Sequence, residues 1–305
     1  MRIGITGSTG LIGTALVKAL EQRGDQLVIF QRPSSAPSPH EVIRWNPATG
    51  DVDESDLARV GGLDAVVHLA GAGIADKRWS KDRKAEILHS RTNSTSLLVK
   101  ALTSLPSGVG VLASGSAIGY YGSRGDEILD ESSTKGSDFL SDVCQQWEDA
   151  ALPFAETGAN VSFLRTGIVQ STKGGALKKQ LPLFRLGLTQ KLGNGRQWIS
   201  PIAIDDEIRA ILWVIEKKIT GPINLTAPEP VTNAKFTKEL AKSLHRTAFG
   251  SVPAVALKIV LGAQLASDAV LASQRVLPKV LLNSGFTFET PDTAQILRQV
   301  LLTGH

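Results

Sequence analysis

Arg2-Ile3-Gly4-Ile5-Thr6 is a short apolar strand running directly into Gly7-Ser8-Thr9-Gly10-Leu11-Ile12-Gly13, a glycine turn that opens an Ala/Leu-rich helix reaching about Arg23. A second apolar run, Leu27 to Phe30, completes a strand-helix-strand unit. Two strands joined through a helix must lie parallel, with the helix crossing one face of their sheet. The chain has 29 glycines, so three in a turn prove little by themselves; the strand before and the helix after give the spacing its meaning. Gly7 permits the sharp turn, Gly10 lets backbone N–H groups approach a pyrophosphate, and Gly13 is expected to bring the helix close to the sheet. The helix N-terminus adds unpaired donors and partial positive charge. Gly7, Ser8, Thr9, Gly10, Leu11, Ile12 and Gly13 are therefore expected to hold a dinucleotide diphosphate.

The second strand ends in Gln31-Arg32-Pro33, where such a unit meets the adenosine ribose. A carboxylate at that point accepts from a free 2′-hydroxyl, whereas an Arg pairs with a 2′-phosphate. There is no carboxylate here. Arg32 therefore points to NADP(H), with Ser34 and Ser35 as further donors.

Asp64 to Gly71 and Gly110 to Ser114 read as buried parallel strands, with a long helix from about Lys81 to Leu102 between them. A helix from about Asp138 to Thr157 and a strand Val161 to Arg165 follow. This alternation predicts an α/β fold, a Rossmann-type doubly wound parallel sheet over residues 1–165. From about Thr166 glycines and prolines break the pattern, and residues 166–305 are expected to form a smaller C-terminal α/β lobe on the substrate side, some segments returning to the sheet. Lys+Arg minus Asp+Glu is 33 − 29 = +4, with the cations scattered, so no nucleic-acid partner is expected. Cys144 is the only cysteine, which excludes an intramolecular disulfide. No apolar stretch is long enough to span a bilayer and no leader precedes the first strand, so the expectation is a cytoplasmic monomer or homodimer with no membrane partner. No His, Cys or carboxylate cluster has metal-ligand spacing, and no metal is expected.

His68-Leu69-Ala70-Gly71-Ala72-Gly73-Ile74, Arg78-Trp79, Gly115-Ser116-Ala117-Ile118-Gly119-Tyr120-Tyr121-Gly122, Trp147-Glu148, Arg165-Thr166-Gly167-Ile168-Val169 and Ser273-Gln274-Arg275-Val276-Leu277-Pro278 extend the pattern along nearly the whole chain. With the glycine turn they resemble an atypical extended short-chain dehydrogenase/reductase, in the epimerase-like group with its own C-terminal extension, some members of which carry a cell-division-inhibitor label. The resemblance implies cofactor contacts from Leu69, Ala70 and Gly71. It also implies a Ser or Thr at the end of the fifth strand and a Tyr-x-x-x-Lys on the next helix, the Tyr exchanging a proton while hydride moves. Ser116 stands at the serine position. If Glu148 aligns with the acidic residue that follows the lysine, Leu140 and Cys144 occupy the Tyr and Lys positions, and neither does that work. Nucleotide-sugar enzymes of the group place an Arg between a Gly-x-Gly turn and an Asp-Asp pair; here Gly193-Asn194-Gly195 and Asp205-Asp206 are present, but Ile199 stands at the Arg position and Arg196 only nearby.

Tyr120 and Tyr121 follow the fifth strand, and either phenol is a candidate replacement for the missing donor. Lys77, Arg78 and Arg91 are candidates for an anionic substrate or a cofactor phosphate, Arg91 being taken as a cofactor contact. His68 and Cys144 read as core, Cys144 because Phe139, Leu140, Val143, Cys144, Trp147 and Ala151 fall on one helix face. Two functions stand: an NADP(H)-dependent oxidoreductase or epimerase on a small carbonyl, hydroxyl or sugar-like substrate, and a non-catalytic NADP(H)-binding sensor or regulatory protein.

Overall fold

The computed structural model describes residues 1–304. Its main sheet is built from β1 (Arg2–Thr6), β2 (Gln26–Gln31), β3 (Glu41–Asn46), β4 (Asp51–Val52), β5 (Leu63–His68), β6 (Val109–Ala117) and two later strands, Asn160–Thr166 and Gly221–Leu225. Across the sheet the order is Gly221–Leu225, Asn160–Thr166, β6, β5, β1, β2, β3, β4. All neighbours are parallel except β3 and β4 at one edge. The chain winds outward from β1 to β4, then returns to β5 on the other side of β1. That reversal opens a crevice at the carboxyl ends of β1 and β5.

Helices cover both faces, which is why the central strands are apolar on both sides. The helices are α1 (Leu11–Arg23), α2 (Glu54–Val60), α3 (Lys81–Thr103), α4 (Phe139–Ala151), α5 (Gly175–Arg185), α6 (Ile204–Glu216), α7 (Asn233–Ser243) and α8 (Ala254–Leu261). Leu16 and Leu20 of α1 meet Ile208 and Ile211 of α6 over Ile3 and Ile5, whereas Leu57 of α2 and Leu98 and Leu102 of α3 cover Val28, Leu112 and Phe163 on the opposite face. Burying each such side chain contributes about 1.5–3 kcal/mol.

Two boundaries differ from the sequence reading for identifiable reasons. The Asp64 to Gly71 strand stops at His68 because the Thr6 hydroxyl captures the N–H groups of Leu69 and Ala70, both at 3.1 Å. The helix expected to reach Thr157 ends at Ala151 and continues as a 3₁₀ segment, Leu152–Thr157, where Pro153 has no N–H to give.

Residues beyond 166 divide between two bodies. The strand Gly221–Leu225 and α6 complete the main sheet, while α5, α7 and the terminal helix Thr293–Thr303 share a separate core of Leu177, Phe184, Phe236, Leu240, Ile296 and Val300. Among the described residues no helix is long and apolar enough to cross a membrane.

Candidate active site

The glycine turn is held by its own backbone. Gly7 sits at φ +68°, and a Cβ there would lie 2.8 Å from the Leu69 carbonyl, so Gly7 both makes the turn and admits the β5 loop beside it. A Cβ on Gly13 would fall 2.2 Å from the Gly7 carbonyl oxygen. Gly13 therefore lets α1 start tight against the turn that leaves β1. Asp53, Ser80 and Asp138 cap α2, α3 and α4 with their side chains, but Gly10 caps α1 with none and the first turn of α1 holds no acid. The N–H groups of that first turn are left facing the crevice, ready for an external anion.

Around this turn the other expected cofactor residues take distinct places. Arg32 is exposed just past β2 and has no ion-pair partner among the described residues. Leu69 and Ala70 line the crevice, but their N–H groups are spent on Thr6, which leaves Gly71 as the first open position of that loop. The Arg91 guanidinium lies against Gly71 and 5.0 Å from the Trp147 ring centroid, with one bond, to the Ile87 carbonyl at 2.9 Å. No carboxylate pairs with it among the described residues, and burial pulls its pKa below the usual arginine value. An uncompensated cation at the crevice suits an anionic ligand.

The carboxyl ends of β6, Asn160–Thr166 and Gly221–Leu225 carry a row that the sequence reading did not assemble. Ser116 stands opposite Arg165, and Arg165 opposite Asn224, in the strand register. Glu148 of α4 reaches down to this row. Its carboxylate accepts from Arg165 twice, from Nε and Nη2, both at 2.8 Å, and from the Ser116 hydroxyl at 2.6 Å. Arg165 Nη1 donates to the Tyr121 hydroxyl at 3.1 Å, and that hydroxyl donates to Asn224 at 2.7 Å. Burial works against the Arg165 charge, yet the bonds from Glu148 hold its pKa above the ordinary arginine value. The signal in the sequence was Arg165, the one charged residue of Asn160–Thr166, and Asn224, the one polar side chain of Gly221–Leu225, but only the register brings them together.

This network separates the two tyrosines. Tyr121 is completely buried, its hydroxyl engaged by Arg165 and Asn224, and burial pushes its pKa up to about 12. Tyr120 is half-buried, lies with the Arg165 guanidinium 3.5 Å from its ring centroid, and its hydroxyl makes no hydrogen bond among the described residues. Ser116 is buried with its proton committed to Glu148.

The remaining candidates fall outside the chemistry. His68 is fully buried: Thr6 bonds Nδ1 at 2.7 Å, Thr95 bonds Nε2 at 2.8 Å, and burial lowers its pKa to about 3, leaving a neutral ring. Since the Thr95 hydroxyl donates to the Arg91 carbonyl, Nε2 carries the His68 proton and Nδ1 accepts from Thr6. Cys144 is buried, and desolvation and then Glu148 push its thiol up to about 12. Arg78 stands beside Gly262, far along the chain, and Lys77 is exposed. Arg196 is exposed on the Gly193-Asn194-Gly195 turn and lines a cavity of about 350 Å³ with Asp126 and Leu271, while Ile199 is tied into a two-strand ladder with Val231. Among the described residues no group of three or more His, Cys, Asp or Glu is arranged to hold a metal ion.

With this geometry in hand, likeness to known proteins is informative. Residues 3–141 match the model of the NAD dependent epimerase/dehydratase family, and residues 252–300 match a domain of unknown function, DUF1731. An epimerase family protein of Mycobacterium bovis is 40% identical over 287 residues, covering 94% of this chain and 93% of that one. A chloroplastic epimerase family protein of Arabidopsis thaliana, a homolog of SDR39U1, is 35% identical over 305 residues, 99% of this chain and 87% of that one. The crystal structure of human epimerase family protein SDR39U1 with NADPH superposes with a TM-score of 0.87 at 31% identity, over 98% of this chain and 99% of that one. The chain therefore belongs to the NAD-dependent epimerase/dehydratase family, as an atypical extended short-chain dehydrogenase/reductase with the DUF1731 C-terminal domain.

Proposed function

We infer that the protein binds NADP(H) across the carboxyl ends of the sheet and acts as an oxidoreductase or epimerase on a small carbonyl or hydroxyl compound. The observation that carries this reading is the anion cradle: an uncapped α1 N-terminus over a turn closed by Gly7 and Gly13, with the unpaired cations Arg32 and Arg91 at the crevice. The NADPH in the SDR39U1 structure supports the same cofactor here. Gly10, Leu11 and Ile12 would hold the diphosphate and Arg32 the 2′-phosphate. The nicotinamide, when bound, supplies or takes up a hydride.

This chain's own residues then supply the proton. Tyr120 is the phenol at the mouth of the sheet whose hydroxyl no other group claims, and it takes the proton-exchanging role left open by Leu140 and Cys144. Arg165, gripped by Glu148, holds the Tyr120 ring face, and Ser116 anchors the same carboxylate. The part of residues 166–305 outside the sheet closes the substrate side.

One observation favours the sensor reading instead: Ser116 gives its proton to Glu148 and so has none for a substrate. The test is a Tyr120→Phe variant followed by nicotinamide absorbance across a panel of carbonyl compounds. Turnover should fall roughly 10²–10⁴-fold with NADPH affinity intact. Full turnover in the variant removes Tyr120 from the mechanism. Tight NADPH binding with no turnover of any compound in the wild-type protein makes the sensor reading the better one.

A further inference from the structure

The C-terminal lobe carries an apolar helix that is only partly covered. None of the eight residues of α8, Ala-Val-Ala-Leu-Lys-Ile-Val-Leu, is buried, and Val255, Ile259 and Val260 are 67%, 68% and 69% exposed. Lys258 is its one charge. A soluble surface helix fully buries one apolar stripe, whereas here Ala254, Ala256, Leu257 and Leu261 are only half-buried and Val255, Ile259 and Val260 face out.

The exposed apolar surface continues beyond α8. Leu186 at the end of α5 is 78% exposed, and Leu183, Leu188 and Phe249 are also exposed. The backbone ties these segments together: Arg246 donates to the Arg185 carbonyl, Phe249 N–H to Thr189, and Lys191-Leu192 pairs with Ser251-Val252 immediately before α8. They form one strip along the lobe.

The two chain segments that carry the strip are one-sided in charge. Residues 173–204 hold six Lys or Arg and no acid, and residues 230–262 hold five with Glu239 as the only acid. None of these eleven cations makes an ion pair among the described residues, whereas Arg2, Arg23, Arg44, Arg59, Arg83 and Arg165 of the sheet body all do. Arg185, Lys191, Arg246 and Lys258 lie within the strip itself.

We propose that this strip docks the protein on an anionic lipid surface, α8 entering the headgroup region while the unpaired cations meet the lipid phosphates. Apolar Leu, Val, Ile and Phe bordered by Lys and Arg is the composition of an interfacial segment. A protein interface is instead enriched in Trp, Tyr and Arg anchors set in pockets. The proposal is independent of the cofactor and of any turnover.

The test is co-sedimentation of the full chain with vesicles of phosphatidylcholine containing phosphatidylserine, against phosphatidylcholine alone. Binding should appear only with the anionic lipid and weaken as salt rises. Arg185→Ala and Lys258→Ala should each weaken it roughly 5-fold, and Ile259→Asp with Val260→Asp should abolish it while NADPH binding and the melting temperature hold. The proposal is overturned if the wild-type chain stays in solution with anionic vesicles at low salt, or if the variants bind as it does. It is overturned equally if sedimentation velocity shows a dimer that the double Asp variant dissociates, since the occupant of the strip is then a second copy.

Discussion

The two ends of the crevice are built from different materials. The glycine-turn end is made of backbone: Gly7 and Gly13 exist to let main chain approach main chain, and the N–H groups of α1 stay open because Gly10 gives no side-chain cap. The opposite end is made of side chains closed on one another, with Glu148, Arg165, Ser116, Tyr121 and Asn224 each satisfied by the next. A backbone site is ready for a ligand before it arrives. A closed side-chain network first of all fixes three strands and a helix in register, and leaves only Tyr120 free at its rim.

This contrast predicts that the two ends fail differently. Removing one partner of a buried ion pair costs about 3–5 kcal/mol, so Glu148→Ala should lower unfolding stability by that amount, and Glu148→Leu combined with Arg165→Met by much less. Chemical denaturation checks both, and a loss under about 1 kcal/mol for the single variant would mean that the network is not structural. At the other end, Gly13→Ala forces a Cβ onto the Gly7 carbonyl at a cost of about 1–3 kcal/mol, which calorimetry should show as roughly 10- to 100-fold weaker NADPH binding. Glu148→Ala, once folded, should bind NADPH nearly as the wild type does. Equal damage to affinity from both variants would erase the distinction.

A second buried acid sharpens the comparison at the side-chain end. Glu207 of α6 accepts from Thr166 at 2.9 Å but has no cation beside it, and burial raises its pKa from 4.5 to about 8. The folded state thus holds a proton that the unfolded state releases, and stability falls as pH rises from 4.5 to about 8. The slope is at most about 1.4 kcal/mol per pH unit. Glu207→Gln should flatten that window and be the more stable protein at its upper end, as read by melting temperature against pH. An unchanged profile means that Glu207 is solvated or paired in solution. The smallest effect is spectroscopic. The chain has two tyrosines, so Tyr120→Phe isolates Tyr121, and tyrosinate absorbance should rise only near pH 12. A midpoint near that of free tyrosine would place Tyr121 at the surface and reopen it as the proton donor.

The same division decides what could be read from the sequence. Gly7, Gly10 and Gly13 are legible because a backbone demand selects one residue type at fixed spacing, and the strand and helix pattern supplies the context. His68 and Cys144 were legible as core from their apolar neighbours. The Ser116, Arg165 and Asn224 row was not, because β6, Asn160–Thr166 and Gly221–Leu225 are far apart in sequence and their alignment exists only once the strand order is known. Glu148 served only as an alignment marker until α4 was docked on the sheet. The run Ala254 to Leu261 is apolar at seven of its eight positions, yet the structure fully buries none of them, which its composition does not announce.

The central claim is that the backbone cradle, completed by Arg32, selects NADP(H). Calorimetric titration of NADPH and NADH into the wild-type protein and into Arg32→Ala tests it directly. The wild type should prefer NADPH, and the variant should lose roughly 10- to 100-fold in NADPH affinity through the missing charge-assisted pair while its NADH affinity stays the same. Equal losses for both cofactors, or no wild-type preference, would contradict the claim.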